Sequence, residues 1–113
     1  MALHDLAGVH VLVVEDTDDS RAASAEEAKR VLESLRPHVL VSDIGMPDDG
    51  LELIREVKTV ARTKGLHIPA IGITAYQDRR EELLAEGFVE LIEKPLDPLA
   101  LCAVVRRHAQ LQT

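Results

Sequence analysis

Four short apolar runs punctuate the chain. Val9 to Val14 is apolar and mostly β-branched, broken only by His10. Val39, Leu40 and Val41 lead into Ser42 and Asp43. Ile68 to Thr74 reads IPAIGIT, and Phe88 to Ile92 reads FVELI. Continuous rather than alternating apolar residues at this length predict strands buried on both faces. Pro69 falls near the start of its run, where a missing backbone donor is tolerated.

Between these runs the apolar residues return with helical spacing. Ser24-Ala-Glu-Glu27 forms a capping box, after which Ala25, Ala28, Leu32 and Leu35 make an apolar stripe that Pro37 ends. Leu51, Ile54, Val57 or Lys58, and Ala61 make a second stripe, closed by Gly65. Asp78 to Glu86 is a short polar helix ending at Gly87. Asp97 and Pro98 suit an N-cap and a first helical position, with the last helix running from Leu99 to about His108. Strands alternating with helices imply right-handed crossovers and a parallel sheet.

Composition narrows the class. The 113 residues make one domain, spanning residues 1–113. At 46% hydrophobic they carry enough material for a core. A net charge of −7 argues against attraction to nucleic acid or an anionic membrane, and 2% aromatic residues leave no stacking platform for single strands. The lone Cys102 excludes an internal disulfide and suits a reducing compartment. The first residues, MALHDLAGVH, lack the basic and long apolar parts of a signal peptide. The expected location is the cytoplasm.

In such sheets, sites form at the carboxyl ends of strands. This chain puts Glu15 and Asp16 after its first run, Asp43 after the second, Thr74 after the third and Lys94 after the fourth. Three carboxylates at one edge repel unless a cation joins them, and an oxygen-only donor set suits Mg²⁺. A carboxylate can attack a phosphoryl group and form an acyl phosphate. A lysine and a metal supply the charge neutralisation that phosphoryl transfer needs, and a threonine hydroxyl could donate to the new phosphoryl oxygen.

The ordered set VLVVED, SDIGMP, GITAY and EKPLDP resembles the receiver domain of two-component response regulators, in a flavour closest to hybrid histidine kinase receivers. The likeness covers roughly Val9 to Arg107. It implies a flavodoxin-like, doubly wound α/β fold. It implies that Asp43 accepts phosphoryl from a phosphohistidine on a histidine kinase or histidine phosphotransfer protein. It also implies that Glu15, Asp16, Asp43 and the backbone carbonyl of Gly45 hold Mg²⁺. Thr74 would be the switch hydroxyl and Lys94 the lysine that contacts the phosphoryl, followed by a Lys94-Pro95 bond that is often cis. Such a domain acts as a stand-alone regulator, a phosphate sink or part of a longer hybrid kinase, and is not an enzyme in the usual sense.

Three departures stand out. A parallel crossover takes about a dozen residues, and 17 to 38 has room for one helix rather than two helices and a strand. The usual second strand and most of the first helix are therefore expected to be missing, leaving four strands. The one crossover then puts its helix on the face of the next two, with the C-terminal helix alone opposite. The first strand becomes an apolar edge, which predicts a homodimer or strand-swapped assembly. Leu91 stands where the family usually has an aromatic switch residue, so the threonine–aromatic relay is in doubt. The loop MPDDG is one residue tighter than usual. Two other functions fit parts of the chain: a degenerate receiver used only for protein contacts, and a haloacid-dehalogenase-like phosphatase with Asp16 as nucleophile and Asp18 as acid/base.

Overall fold

The computed structural model describes residues 2–6, 9–15, 29–32, 34, 37–44, 47–75 and 79–110. Five strands stand side by side in chain order: β1 (Ala2–Leu6), β2 (Val9–Glu15), β3 (Val39–Ile44), β4 (Ala70–Thr74) and β5 (Phe88–Glu93). From β2 to β5 every pairing is parallel, which gives the four parallel strands the apolar runs predict. Three helices, α1 (Pro47–Lys64), α2 (Arg80–Glu86) and α3 (Pro98–Gln110), follow β3, β4 and β5. Helical backbone also occurs at residues 29–32, between β2 and β3. The Ser24 capping box lies outside the described residues.

The expected bare edge does not occur at β2. β1 pairs with it antiparallel, from Ala2 opposite Val13 to Leu6 opposite Val9. An uncovered strand presents a row of unpaired backbone donors and acceptors. The segment two residues upstream can satisfy them with little loop-closure cost. The edge strand on this side of the sheet is thus β1, which the apolar pattern does not reveal, and β5 forms the other edge.

The two faces of the sheet have separate cores. Leu12, Leu40, Ile44, Phe88 and Leu91 point to one face, where they meet Leu32, Leu51, Ile54 and Val57 of the helical layer and Leu83 of α2. Val11, Val39, Val41, Ile71 and Ile73 point to the other and, among the described residues, meet α3 through Val105 and Ala109. This is the one-against-three arrangement that the shortened crossover predicts. Burying a side chain of this size contributes about 1.5–3 kcal/mol, so both clusters matter.

Several boundaries differ from the sequence pattern, each for a local reason. α1 starts at Pro47, not near Leu51, so Pro47 to Gly50 form its first turn. Pro47 suits a first helical position because its missing N–H has no partner there anyway. Gly65 ends α1 at φ 68°, while Leu66 N–H donates to Ala61 C=O at 2.8 Å and Gly65 N–H to Arg62 C=O at 3.2 Å. β4 starts at Ala70 rather than Ile68. Pro69 cannot donate, but its carbonyl still accepts from Leu40 N–H at 2.9 Å. α3 has the expected cap: Asp97 Oδ1 accepts from Leu99 N–H at 3.0 Å.

β5 contains a bulge. Ala70 pairs with Phe88 and Ile71 with Glu90, which leaves Val89 as the extra residue. Successive strand residues normally alternate faces, so Phe88 and Leu91 should oppose each other. The bulge resets the count, and both enter the same core while Val89 stays 40% exposed. Glu90 then meets Arg107 and His108 of α3.

Candidate functional site

The parallel register brings the carboxyl ends of the strands together. Glu15 of β2 is the register partner of Asp43 of β3, Ile44 that of Thr74 of β4, and Thr74 that of Glu93 of β5. Lys94 follows directly. Its Nζ lies 2.8 Å from Asp43 Oδ1. The lysine therefore reaches over the end of β4 to a carboxylate two strands away. Both side chains are 42% exposed, so this ion pair is open to solvent and to a ligand. A pair so exposed contributes about 0–1 kcal/mol to stability.

The backbone fixes where Lys94 begins its reach. Lys94 N–H donates to Thr74 C=O at 3.1 Å, which carries the β4–β5 ladder one residue past the strand. The next peptide, Lys94-Pro95, is cis, as the receiver likeness implies. Thr74 is buried at 1% exposure, next to the Asp43 strand end. Leu91, three residues before Lys94, is 5% exposed and packs in the larger core. It serves as core at the position where an aromatic would be expected to switch.

Of the residues singled out from sequence, Asp43, Thr74 and Lys94 converge at this edge, and the backbone of Glu15 adjoins Asp43. Asp16 and Gly45 lie outside the described residues, as does Asp18. Among the described residues no three His, Cys, Asp or Glu side chains group as a metal site. The hydrogen bond from Lys94 to Thr74 was not legible in the motifs, since it depends on the register of two strands. No described helix is long and apolar enough to cross a membrane.

This arrangement can take an anion. A half-exposed carboxylate with a lysine beside it offers oxygen donors and a counter-charge at one strand end, and Glu15 stands in register with it on the neighbouring strand. The residue types are those that bind a hard cation and neutralise phosphoryl oxygens.

Residues 9–106 match the response regulator receiver domain. An uncharacterised 14.6 kDa protein of Leptolyngbya boryana is 37% identical, covering 94% of both chains. The response regulator FleR of Pseudomonas aeruginosa is 35% identical over 92% of this chain, which spans 20% of FleR. The receiver domain of the sensor histidine kinase PA1611 from Pseudomonas aeruginosa, solved with magnesium coordinated in its active-site cleft, superposes with a TM-score of 0.67. That match covers 88% of this chain and 96% of the other at 23% identity, a likeness of fold. β1 lies ahead of the matched residues.

Proposed function

Because this chain belongs to the response regulator receiver family, a family of phosphoacceptor signalling domains, we propose that Asp43 is its acceptor. The single observation that carries the proposal is the 2.8 Å contact between Lys94 Nζ and Asp43 Oδ1 across the end of β4. Residues 1–113 act as one receiver domain in the cytoplasm, served by a histidine kinase or a histidine phosphotransfer protein. It is a signalling module and not a turnover enzyme.

An Asp43 carboxylate oxygen attacks the phosphorus of a phosphohistidine. The new O–P bond forms as the N–P bond breaks, and the imidazole leaves with the electron pair of that bond. Lys94 moves from the free carboxylate to the phosphoryl oxygens, and Thr74 supplies a hydroxyl donor from β4. Glu15, Asp16, Asp43 and the Gly45 carbonyl would hold Mg²⁺, which supplies the charge neutralisation between acidic side chains and phosphoryl. The pairing of Glu15 with Asp43 in the register and the all-oxygen donor set support this assignment.

Intact-mass measurement after incubation with acetyl phosphate and Mg²⁺ tests the acceptor. One phosphoryl adduct on the wild type and none on Asp43→Asn is the expected result. An adduct that persists in Asp43→Asn places the acceptor elsewhere. Self-association belongs to the same reading. With only residues 7 and 8 joining β1 to β2, exchange of β1 between two copies is a low-cost route to a strand-swapped homodimer.

A further inference from the structure

At the opposite end of the strands lies a cleft of about 260 Å³. It is bounded by the second half of α1, the segment leading into β4 and the start of β5. Ile54 and Val57, both buried, line it, and so does the bulge residue Val89. Because Val89 is displaced from the ladder, its side chain is exposed at this opening rather than packed in either core.

The charged residues that line the cleft are of one sign. Lys58 and Arg62 line it beside His67, and among the described residues no carboxylate does. This contrasts with a chain whose net charge is −7. Lys58 is held in place: its Nζ donates to the Glu86 carbonyl at 2.7 Å, at the end of α2. The acid of that neighbourhood, Glu86, is engaged by Arg55 at 3.1 Å. Among the described residues Arg62 and His67 have no ion-pair partner. A cleft with an aliphatic wall and a cationic rim, unoccupied by the protein's own acids, has the complementarity of a small amphipathic anion.

We propose that this cleft binds a small carboxylate with a short apolar body, its alkyl or aryl part against Ile54, Val57 and Val89 and its carboxylate toward Arg62 and Lys58. The site is a second one, distinct from Asp43 and at the other end of the sheet. Its volume suits a fragment-sized molecule, just below the usual range of about 300–1,000 Å³ for drug-sized ligands.

Amide chemical shifts of the full chain, titrated with 4-phenylbutyrate and separately with 4-phenylbutanol, test it. Saturable shifts at Ala61, Arg62, Leu66 and Val89 are expected with the carboxylate, and weaker binding with the uncharged alcohol. Val89→Glu adds a like charge at an exposed position, and Arg62→Gln removes a cation. Each should weaken 4-phenylbutyrate binding about threefold to tenfold while the remaining spectrum is unchanged. Val89→Gln, the neutral isostere of that glutamate, loses the apolar contact alone and should bind less tightly than the wild type but more tightly than Val89→Glu. No saturable shifts at the cleft, equal binding of acid and alcohol, or Val89→Glu binding as tightly as Val89→Gln would each overturn the assignment. Asp43→Asn leaves this binding unchanged, so the result is independent of phosphorylation.

Discussion

Gly72 and Leu91 form a pair whose coupling can be worked out from distances. Gly72 sits in the middle of β4, between Ile44 of β3 and Leu91 of β5 on the same face. A Cβ at position 72 would stand 2.6 Å from Ile44 Cδ1 and 2.7 Å from Leu91 Cδ2. Both are closer than carbon atoms can pack, so the side chains of Ile44 and Leu91 fill the space a larger residue would need. Gly72→Ala forces them apart, at a cost of about 1–3 kcal/mol in a close-packed core. A stiffer strand backbone returns about 0.5–1 kcal/mol, which leaves a net loss of about 0–2.5 kcal/mol. Leu91→Ala removes a side chain only 5% exposed and opens a cavity, costing about 3 kcal/mol. In the double variant the methyl at 72 enters part of that cavity. Its clash with Leu91 is then relieved while that with Ile44 stays, so about half of the packing cost should vanish, and the double variant should be about 0.5–1.5 kcal/mol more stable than the sum of the single losses implies. Urea unfolding followed by circular dichroism measures all four proteins, since one Tyr and no Trp make fluorescence a poor probe. Additivity within about 0.3–0.5 kcal/mol would refute the close approach.

Other outcomes follow from the site, the edge and the surface pairs. Lys94→Ala should lower stability by less than about 1 kcal/mol in urea, because the pair is half-exposed, yet sharply slow labelling by acetyl phosphate. Deleting residues 2–6 bares the edge of β2, so light scattering should show self-association rising with concentration, well above that of the full chain. The hydrogen bond and charge of Arg55 hold the Glu86 carboxyl below its ordinary range. Its contribution is fully present above the unfolded carboxylate value and is lost as pH falls through the lower folded value. Glu86→Gln should therefore lose a small stability increment near neutral pH, and its thermal midpoint should fall less on acidification than that of the wild type.

The sequence is most legible where burial is two-sided. The runs around Val11, Val39 and Ile71 are apolar because helices cover both faces of those strands, and they read directly as strands. β1 escapes this logic. The segment ALHDL is short and mixed in polarity, as suits a sheet margin, and its pairing depends on the need of β2 for a partner. The bulge is also hidden, since Phe88 and Leu91 share a face only after Val89 is known to be extra. At the site, motif order was enough to name Asp43, Thr74 and Lys94. That Lys94 reaches Asp43 over a whole strand depends on parallel register and side-chain length, which no local pattern records. The cleft beneath Val89 was invisible for the same reason: its lining comes from segments more than thirty residues apart, from Ile54 to Val89.

Val89 also gives β5 slack. Above it, Glu90 to Glu93 stay locked to Ile71 to Thr74, and that lock sets the height at which Lys94 leaves the sheet. Below it, Phe88 anchors the lower core one step out of phase. A length change at the lower end of this strand can be taken up at the extra residue without moving the lysine. The same change above it would carry Lys94 off its carboxylate. The two halves of one short strand therefore stand under opposite tolerances, forgiving beneath Glu90 and exacting beyond it.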